Sequence, residues 1–353
     1  MTSLQSTPSY HKDFNGGHHE CGCQFLEATS DIFQGMRIVV SGANGFLGSW
    51  ICRILSQRYE VVGFVRPDAD ISKLGNIEQI QVVEIDEIRF KHEITRILPE
   101  VVILSDWWGV GNSLRNDSKQ FGNVERIRNR IPALNNVGTV IGVGSQAELG
   151  PKSSVINEFE SDAPTTEYGR AKVETRTLLE RNLSKDVRFV WSRIFSTYGP
   201  LDSDDWLIPS SIIKLLNGKR VPLTKGEQEW SFLHSYDLGR AFETIIEVKE
   251  ISGVVNVGDP NTVTISNVLL FIAEYLKLES LLDFGAIPYR EDQVMKLAPI
   301  TEKLCDAGWH PEVKLEDGIF HLINWMTGSN GAQLKLKSGK SLDLNLPTYI
   351  SRK

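Results

Sequence analysis

Cysteine is scarce: four in 353 residues are too few for a disulfide scaffold, and a reducing cytoplasm is the simplest home. Basic charge is also short, with 38 Lys and Arg against 45 Asp and Glu for a net charge of −7. That deficit argues against a nucleic-acid binder that neutralises phosphates and against a basic membrane-surface protein. No apolar run approaches the ~20 residues a membrane span needs. The opening stretch MTSLQSTPSYHKDFNGGHHECGC has no apolar h-region, so it does not read as a secretory signal. There is no internal repeat and no Gly-x-Ser-x-Gly hydrolase elbow. What is present is 41% hydrophobic and 24% charged residues, ordinary for a soluble globular protein with a sizeable core. The length allows two domains, or one large α/β unit with a subordinate lobe.

Residues 1–35 are polar and rich in glycine and histidine, an extension with at most a short helix around Phe25–Phe33. His18, His19, Glu20, Cys21 and Cys23 cluster there as possible metal ligands or as a flexible segment. Structural zinc sites take ligands from two separated pairs, and this cluster has no second pair after it, so no metal is expected. A regular pattern then begins abruptly. Strand-like runs at Arg37–Ser41, Glu60–Val65, Ile80–Ile85, Glu100–Leu104, Gly138–Val143 and Val187–Trp191 alternate with helix-length segments, including Phe46–Leu55 and Thr166–Glu180. That alternation predicts an α/β fold, a Rossmann-type doubly wound parallel sheet covered on both faces. After about residue 196, turn-rich stretches interleave with helices Ile208–Leu216, Asp237–Val248 and Ser266–Leu276 and a strand at Gly253–Val257. The expected division is therefore a dinucleotide domain over 36–195, rejoined by 236–260, and a smaller lobe over 196–235 and 261–328. The polar stretch 329–353 reads as a tail.

The first strand runs into Ser41-Gly42-Ala43-Asn44-Gly45-Phe46-Leu47-Gly48. Glycines at 42, 45 and 48 permit a tight turn, close approach of backbone to a pyrophosphate, and close helix–strand packing. The N–H groups at the helix start (Asn44 to Gly48) can hold the anion. The second strand ends Gly63-Phe64-Val65-Arg66, where an acidic residue would select the ribose 2′-hydroxyl of NAD and a basic one suits a 2′-phosphate. Arg66 therefore favours NADP, with NAD possible if this arginine is only solvated.

Tyr168 and Lys172 stand four apart near the start of the helix 166–180, on one helix face. A cation beside the phenol, together with an oxidised nicotinamide, favours phenolate and allows proton exchange with a substrate oxygen. Ser145 closes the fifth strand at the end where open α/β sheets hold ligands. Its hydroxyl can steer that exchange or make a local backbone bond.

Taken together, Gly42-x-x-Gly45-x-x-Gly48, Ser145 and Tyr168-x-x-x-Lys172 resemble the extended short-chain dehydrogenase/reductases, in the NAD(P)-dependent epimerase/dehydratase branch acting on nucleotide sugars. Arg193-Ile-Phe-Ser-Thr-Tyr-Gly-Pro200 and Gly226 to Asp237 are similar to two later signatures of that branch, and the resemblance runs from about Met36 to Thr327. It implies Ser145, Tyr168 and Lys172 as catalytic residues, and Lys172 also as a ligand of the nicotinamide ribose. It implies Asp86 as an adenine contact, Arg290 on the substrate diphosphate, and Ser196 and Trp230 at further substrate positions. It also implies a cytoplasmic homodimer formed through helices that flank the sheet.

Several positions depart from the family pattern. The fourth strand ends Leu104-Ser105-Asp106-Trp107-Trp108, and Asp106 must be either paired or functionally poised. Ser196 replaces an asparagine and Trp230 an arginine, so the usual diphosphate contacts are altered. The tryptophans serve either as aromatic platforms or as core. The family's 4,6-dehydratases place an Asp-Glu pair directly after the hydroxyl residue, where this chain has Gln146 and Ala147. Neither can shuttle a proton at neutral pH, and Glu148 is expected to point elsewhere. The resulting expectation is a 4-keto-sugar reductase, toward which Arg66 tilts the reading, with a 4-epimerase as the alternative and a non-catalytic dinucleotide sensor as the competing class.

Overall fold

The computed structural model describes residues 35–77, 79–290, 293–328 and 333–350. The expected helix at 25–33 and the His18–Cys23 cluster lie outside them. The first six strands are β1 (Arg37–Ser41), β2 (Glu60–Val65), β3 (Ile80–Glu84), β4 (Val101–Leu104), β5 (Thr139–Ser145) and β6 (Arg188–Ile194). With the strand Gly253–Val257 they form one parallel sheet. From one edge, its order is the Gly253–Val257 strand, β6, β5, β4, β1, β2, β3. The chain direction of growth reverses between β1 and β4, which opens a crevice at the carboxyl ends of those two strands.

Both faces are buried, as the continuous apolar runs require. Within β1, Ile38 and Val40 point into one core with helices α1 (Phe46–Leu55) and α6 (Ser235–Glu247). Val39 points into the other, against α2 (Glu87–Ile97), α3 (Phe121–Leu134) and α4 (Glu167–Asn182). Period-2 alternation in a strand of wholly apolar residues thus fills two cores at once. Beyond the sheet, α5 (Leu207–Leu216), α7 (Ile265–Leu276) and the helix Leu315–Thr327 enclose a third apolar cluster with a three-stranded sheet centred on Glu229–Ser231.

The polar C-terminal stretch is a correction to the reading of a tail. Leu334–Lys335 pairs antiparallel with Ser341–Leu342, and Leu334, Leu336 and Leu344 are buried beside Trp50, Leu201 and Val313. Leucines spaced among lysines and serines carry no periodicity that sequence alone could read, yet each meets an apolar partner. Arg53 of α1 locks the segment by donating to the carbonyls of Leu344 and Asn345.

Candidate active site

The glycine turn lies at the crevice. Gly42 has φ +69°, and a side chain there would stand 2.7 Å from the Asp106 backbone beyond β4. A Cβ on Gly48 would overlap the Gly42 carbonyl, so the first turn of α1 can sit on the strand end only without one. Helix α1 starts after Gly45 with no side-chain cap and no acidic residue in its first turn. Its leading N–H groups are left for an anion, and a dinucleotide pyrophosphate fits this cradle. Asn44 donates to the Asp70 carbonyl, while Phe46 and Leu47 pack partly into flanking apolar clusters. Arg66 is exposed directly after β2. Asp86 accepts the Arg89 N–H at 2.8 Å as the cap of α2, a structural task that the resemblance did not imply.

Thr166 caps α4 by accepting the Gly169 N–H at 3.1 Å, which fixes Tyr168 in the first turn and Lys172 one turn on. A Cβ on Gly169 would overlap the Ala147 carbonyl. This close approach sets α4, with the buried Tyr168, against the end of β5, where the Ser145 hydroxyl accepts the Ala147 N–H at 3.2 Å and acts on the Tyr168 phenol. Lys172 donates to the Val143 carbonyl at 2.6 Å. Its ammonium lies 3.7 Å from the centre of the Trp107 ring, which in turn meets Tyr168 edge-on at 6.0 Å. Ser145, Tyr168 and Lys172 thus come together at the carboxyl end of the sheet.

The electrostatics differ from expectation. Burial pushes the Tyr168 phenol above its usual range, while the Ser145 bond and the Arg115 charge pull it back. Burial lowers the Lys172 pKa to about 7, against the upward influence of Glu148 and Asp106. The Lys172 ammonium faces Val143 and Trp107 and also lies 5.7 Å from the centre of the Tyr168 ring. A second cation near the phenol is Arg115, whose guanidinium carbon is 5.4 Å from the Tyr168 ring centre and whose carbonyl accepts the Tyr168 N–H at 2.8 Å.

Asp106 is paired. Arg130 reaches both its oxygens at 2.9 and 2.8 Å, Arg126 lies 3.2 Å away, and Ser41 donates to it. Burial would raise its carboxyl, but the Arg130 and Arg126 charges overcome this and hold it below the usual range. Glu148 does point elsewhere. It accepts the Ser145 backbone N–H at 2.7 Å and the Trp191 indole N–H at 3.0 Å, with Arg193 at 3.5 Å and Arg176 at 3.7 Å. Burial raises the Glu148 carboxyl despite these cations and donors.

Trp230 resolves toward packing: its indole donates to the Val294 carbonyl at 2.9 Å and its ring lies against Phe232. Trp107 is the tryptophan that reaches the site. Ser196 comes just after β6, and its carbonyl accepts the Leu233 N–H at 2.9 Å. Arg290 is exposed on the lobe, close enough for its charge to act on Arg115. Sequence reasoning missed Trp107 as a Lys172 contact and Arg115 altogether. Trp107 had a positional signal, three residues past β4 at the sheet's reversal point; Arg115, in an aperiodic loop, had none.

The model of the NAD dependent epimerase/dehydratase family matches residues 38–258. The chain belongs to that family. CDP-abequose synthase of Salmonella muenchen is 23% identical over 300 residues, covering 82% of this chain and 97% of the relative. The dTDP-4-dehydro-6-deoxyglucose reductase of Escherichia coli is 24% identical over 307 residues, covering 81% and 96%. Among solved structures, a UDP-N-acetylglucosamine 4-epimerase from Methanobrevibacter ruminantium, in complex with UDP-N-acetylmuramic acid, aligns with a TM-score of 0.74 at 20% identity, covering 84% and 99%. This family member is an NAD-dependent type of enzyme among relatives that modify nucleotide sugars by reduction, epimerisation, decarboxylation or dehydration. No helix of the described residues is long and apolar enough to cross a membrane.

Proposed function

We propose that the protein is an NAD(P)-dependent reductase of a nucleotide-activated 4-keto sugar, with Tyr168 as its acid/base. The observation that carries this reading is the buried Tyr168 phenol with the Lys172 ammonium 5.7 Å from its ring centre, beside the Ser145 end of β5 and at the crevice that holds the glycine turn. The nicotinamide supplies the hydride when bound. Ser145 would orient the substrate oxygen, Tyr168 would deliver the proton to it, and Lys172 would hold the nicotinamide ribose. Trp107 covers Lys172 and keeps water from it.

Single-carbon redox chemistry is favoured over 4,6-dehydration by the two residues next to Ser145. Elimination of water needs a second acid–base pair, and Gln146 and Ala147 offer none. The nearest carboxylate, Glu148, is held by Trp191 and the Ser145 backbone. A 4-epimerase would use the same groups in both directions and is the second reading. Arg66, exposed past β2 and available to a 2′-phosphate, supports NADPH and hence net reduction. The same reading includes a homodimer built through helices that include α4, which light scattering would test.

Purified protein given a panel of 4-keto nucleotide sugars is expected to consume NADPH, and Tyr168→Phe to abolish turnover while binding NADPH normally. Turnover by the phenylalanine variant at the wild-type rate would remove Tyr168 from the mechanism. Cofactor binding without hydride transfer to any sugar would favour a sensor. Arg66→Ala is expected to weaken NADPH about tenfold and leave NADH unchanged, from the loss of a charge-assisted contact.

A further inference from the structure

Arg115 stands apart from the other sunken arginines. Arg130 pairs with Asp106 and Glu87, Arg193 with Glu148, and Arg240 with Asp237, while Arg53 and Arg188 are met by backbone carbonyls. Among the described residues no carboxylate pairs with Arg115, and its buried Nε has no hydrogen-bond partner. Its guanidinium instead lies between two aromatic rings, 5.4 Å from the centre of Tyr168 on α4 and 5.8 Å from that of Trp206 at the start of α5. It therefore spans the sheet domain and the lobe at the acid/base phenol. The charge of Arg290 acts on it from the lobe, in the direction that discourages a second cation.

An uncompensated guanidinium in a chain of net charge −7 is costly unless something anionic arrives. Two aromatic rings flank the guanidinium, and among the described residues no hydrogen bond takes up its side-chain donors, which suits them to a bidentate oxyanion. We propose that Arg115 is a substrate-binding residue that takes an oxyanion of the nucleotide sugar, beside the oxygen that Tyr168 serves. This rests on the proposed nucleotide-sugar substrate. The oxyanion has two possible sources, the diphosphate or a carboxylate on the sugar ring.

The test is calorimetric binding of UDP, CDP, dTDP, GDP, UDP-glucose and UDP-glucuronic acid to the full chain saturated with NADP+, in wild type, Arg115→Gln and Arg115→Lys. Loss of a charge-assisted bidentate contact should weaken the affected ligands about tenfold or more in the glutamine variant. The lysine variant should recover part of that loss, and NADPH affinity should not move. A diphosphate source weakens a nucleoside diphosphate and its sugar nucleotide by the same factor; a sugar-carboxylate source weakens UDP-glucuronic acid alone. If wild type binds these ligands and Arg115→Gln binds them equally well, Arg115 is not a substrate residue and the nucleotide-sugar reading stands. If wild type binds none of them, that reading falls and this one with it.

Discussion

The carboxylate of Glu148 is shut between the Trp191 indole and the Ser145 N–H, with Arg193 and Arg176 close by. Removing it would strip the Trp191 indole and the Ser145 N–H of their acceptor and leave the buried Arg193 with only Asp162 at 3.9 Å, while Arg176 keeps Asp162 and Glu180. Glu148→Ala is therefore expected to cost about 3–5 kcal/mol in urea unfolding. Glu148→Gln keeps the shape and should cost less, while lowering kcat by loosening the backbone of Ser145. Lys172 makes a prediction of opposite character. Its pKa is about 7 in the folded chain against an ordinary 10.5, so between these values the unfolded chain holds a proton that the folded chain has released. Stability of the cofactor-free protein should then rise with pH across that window and lose this contribution below it. Urea midpoints at pH 7 and 9 should differ less in Lys172→Met than in wild type. Residues of this kind were only half legible: Tyr168 and Lys172 could be paired by helical spacing, but the second cation beside the phenol, Arg115, could not. Arg115 reaches the ring from a loop whose position depends on folding, and four-residue spacing says nothing about which way an ammonium turns.

The elements themselves were more legible, for a physical reason. Runs such as Arg37–Ser41, Phe46–Leu55, Glu60–Val65 and Gly253–Val257 coincide with the observed bounds. Each is bracketed by a turn or cap and buried on the faces its periodicity demands. Elements drift where the bracket is weak: β5 runs on to Ser145 and β6 to Ile194, because parallel neighbours keep pairing beyond the apolar run. One glycine has its meaning only at this scale. Gly169 looks like an indifferent helix position, yet it is what allows α4 to touch the turn after β5. Gly169→Ala should push α4 off that turn and separate Tyr168 from Ser145. Turnover should fall about 100-fold, since misplacement by ~1 Å has that effect. NADPH binding at the α1 turn should change little, which a fluorescence titration would show.

Across the whole molecule the C-terminal hairpin acts as part of the core. Leu334 is fully buried, so Leu334→Ala is expected to cost about 2–5 kcal/mol by thermal melting. A loose tail would register nothing. The sequence could not announce this packing, because the leucines are isolated and their partners, Trp50, Leu201 and Val313, come from three distant stretches. Only the folded lobe and α1 together make a surface for them.

That hairpin also bears on how the chain is made. Trp50 donates to the carbonyl of Pro200, 150 residues later, and Arg53 to that of Leu344, 291 residues later. At ~5–20 residues per second, a ribosome supplies the last of these partners roughly 15–60 s after α1 is synthesised. For the first half of that interval the indole of the helix after the glycine turn lacks its acceptor, and throughout it the Arg53 guanidinium has the carbonyls of Lys73 and Gly75 but not those of Leu344 and Asn345. The nascent chain then has the properties of a chaperone client, and a helix is completed by a hairpin made some 291 residues after it.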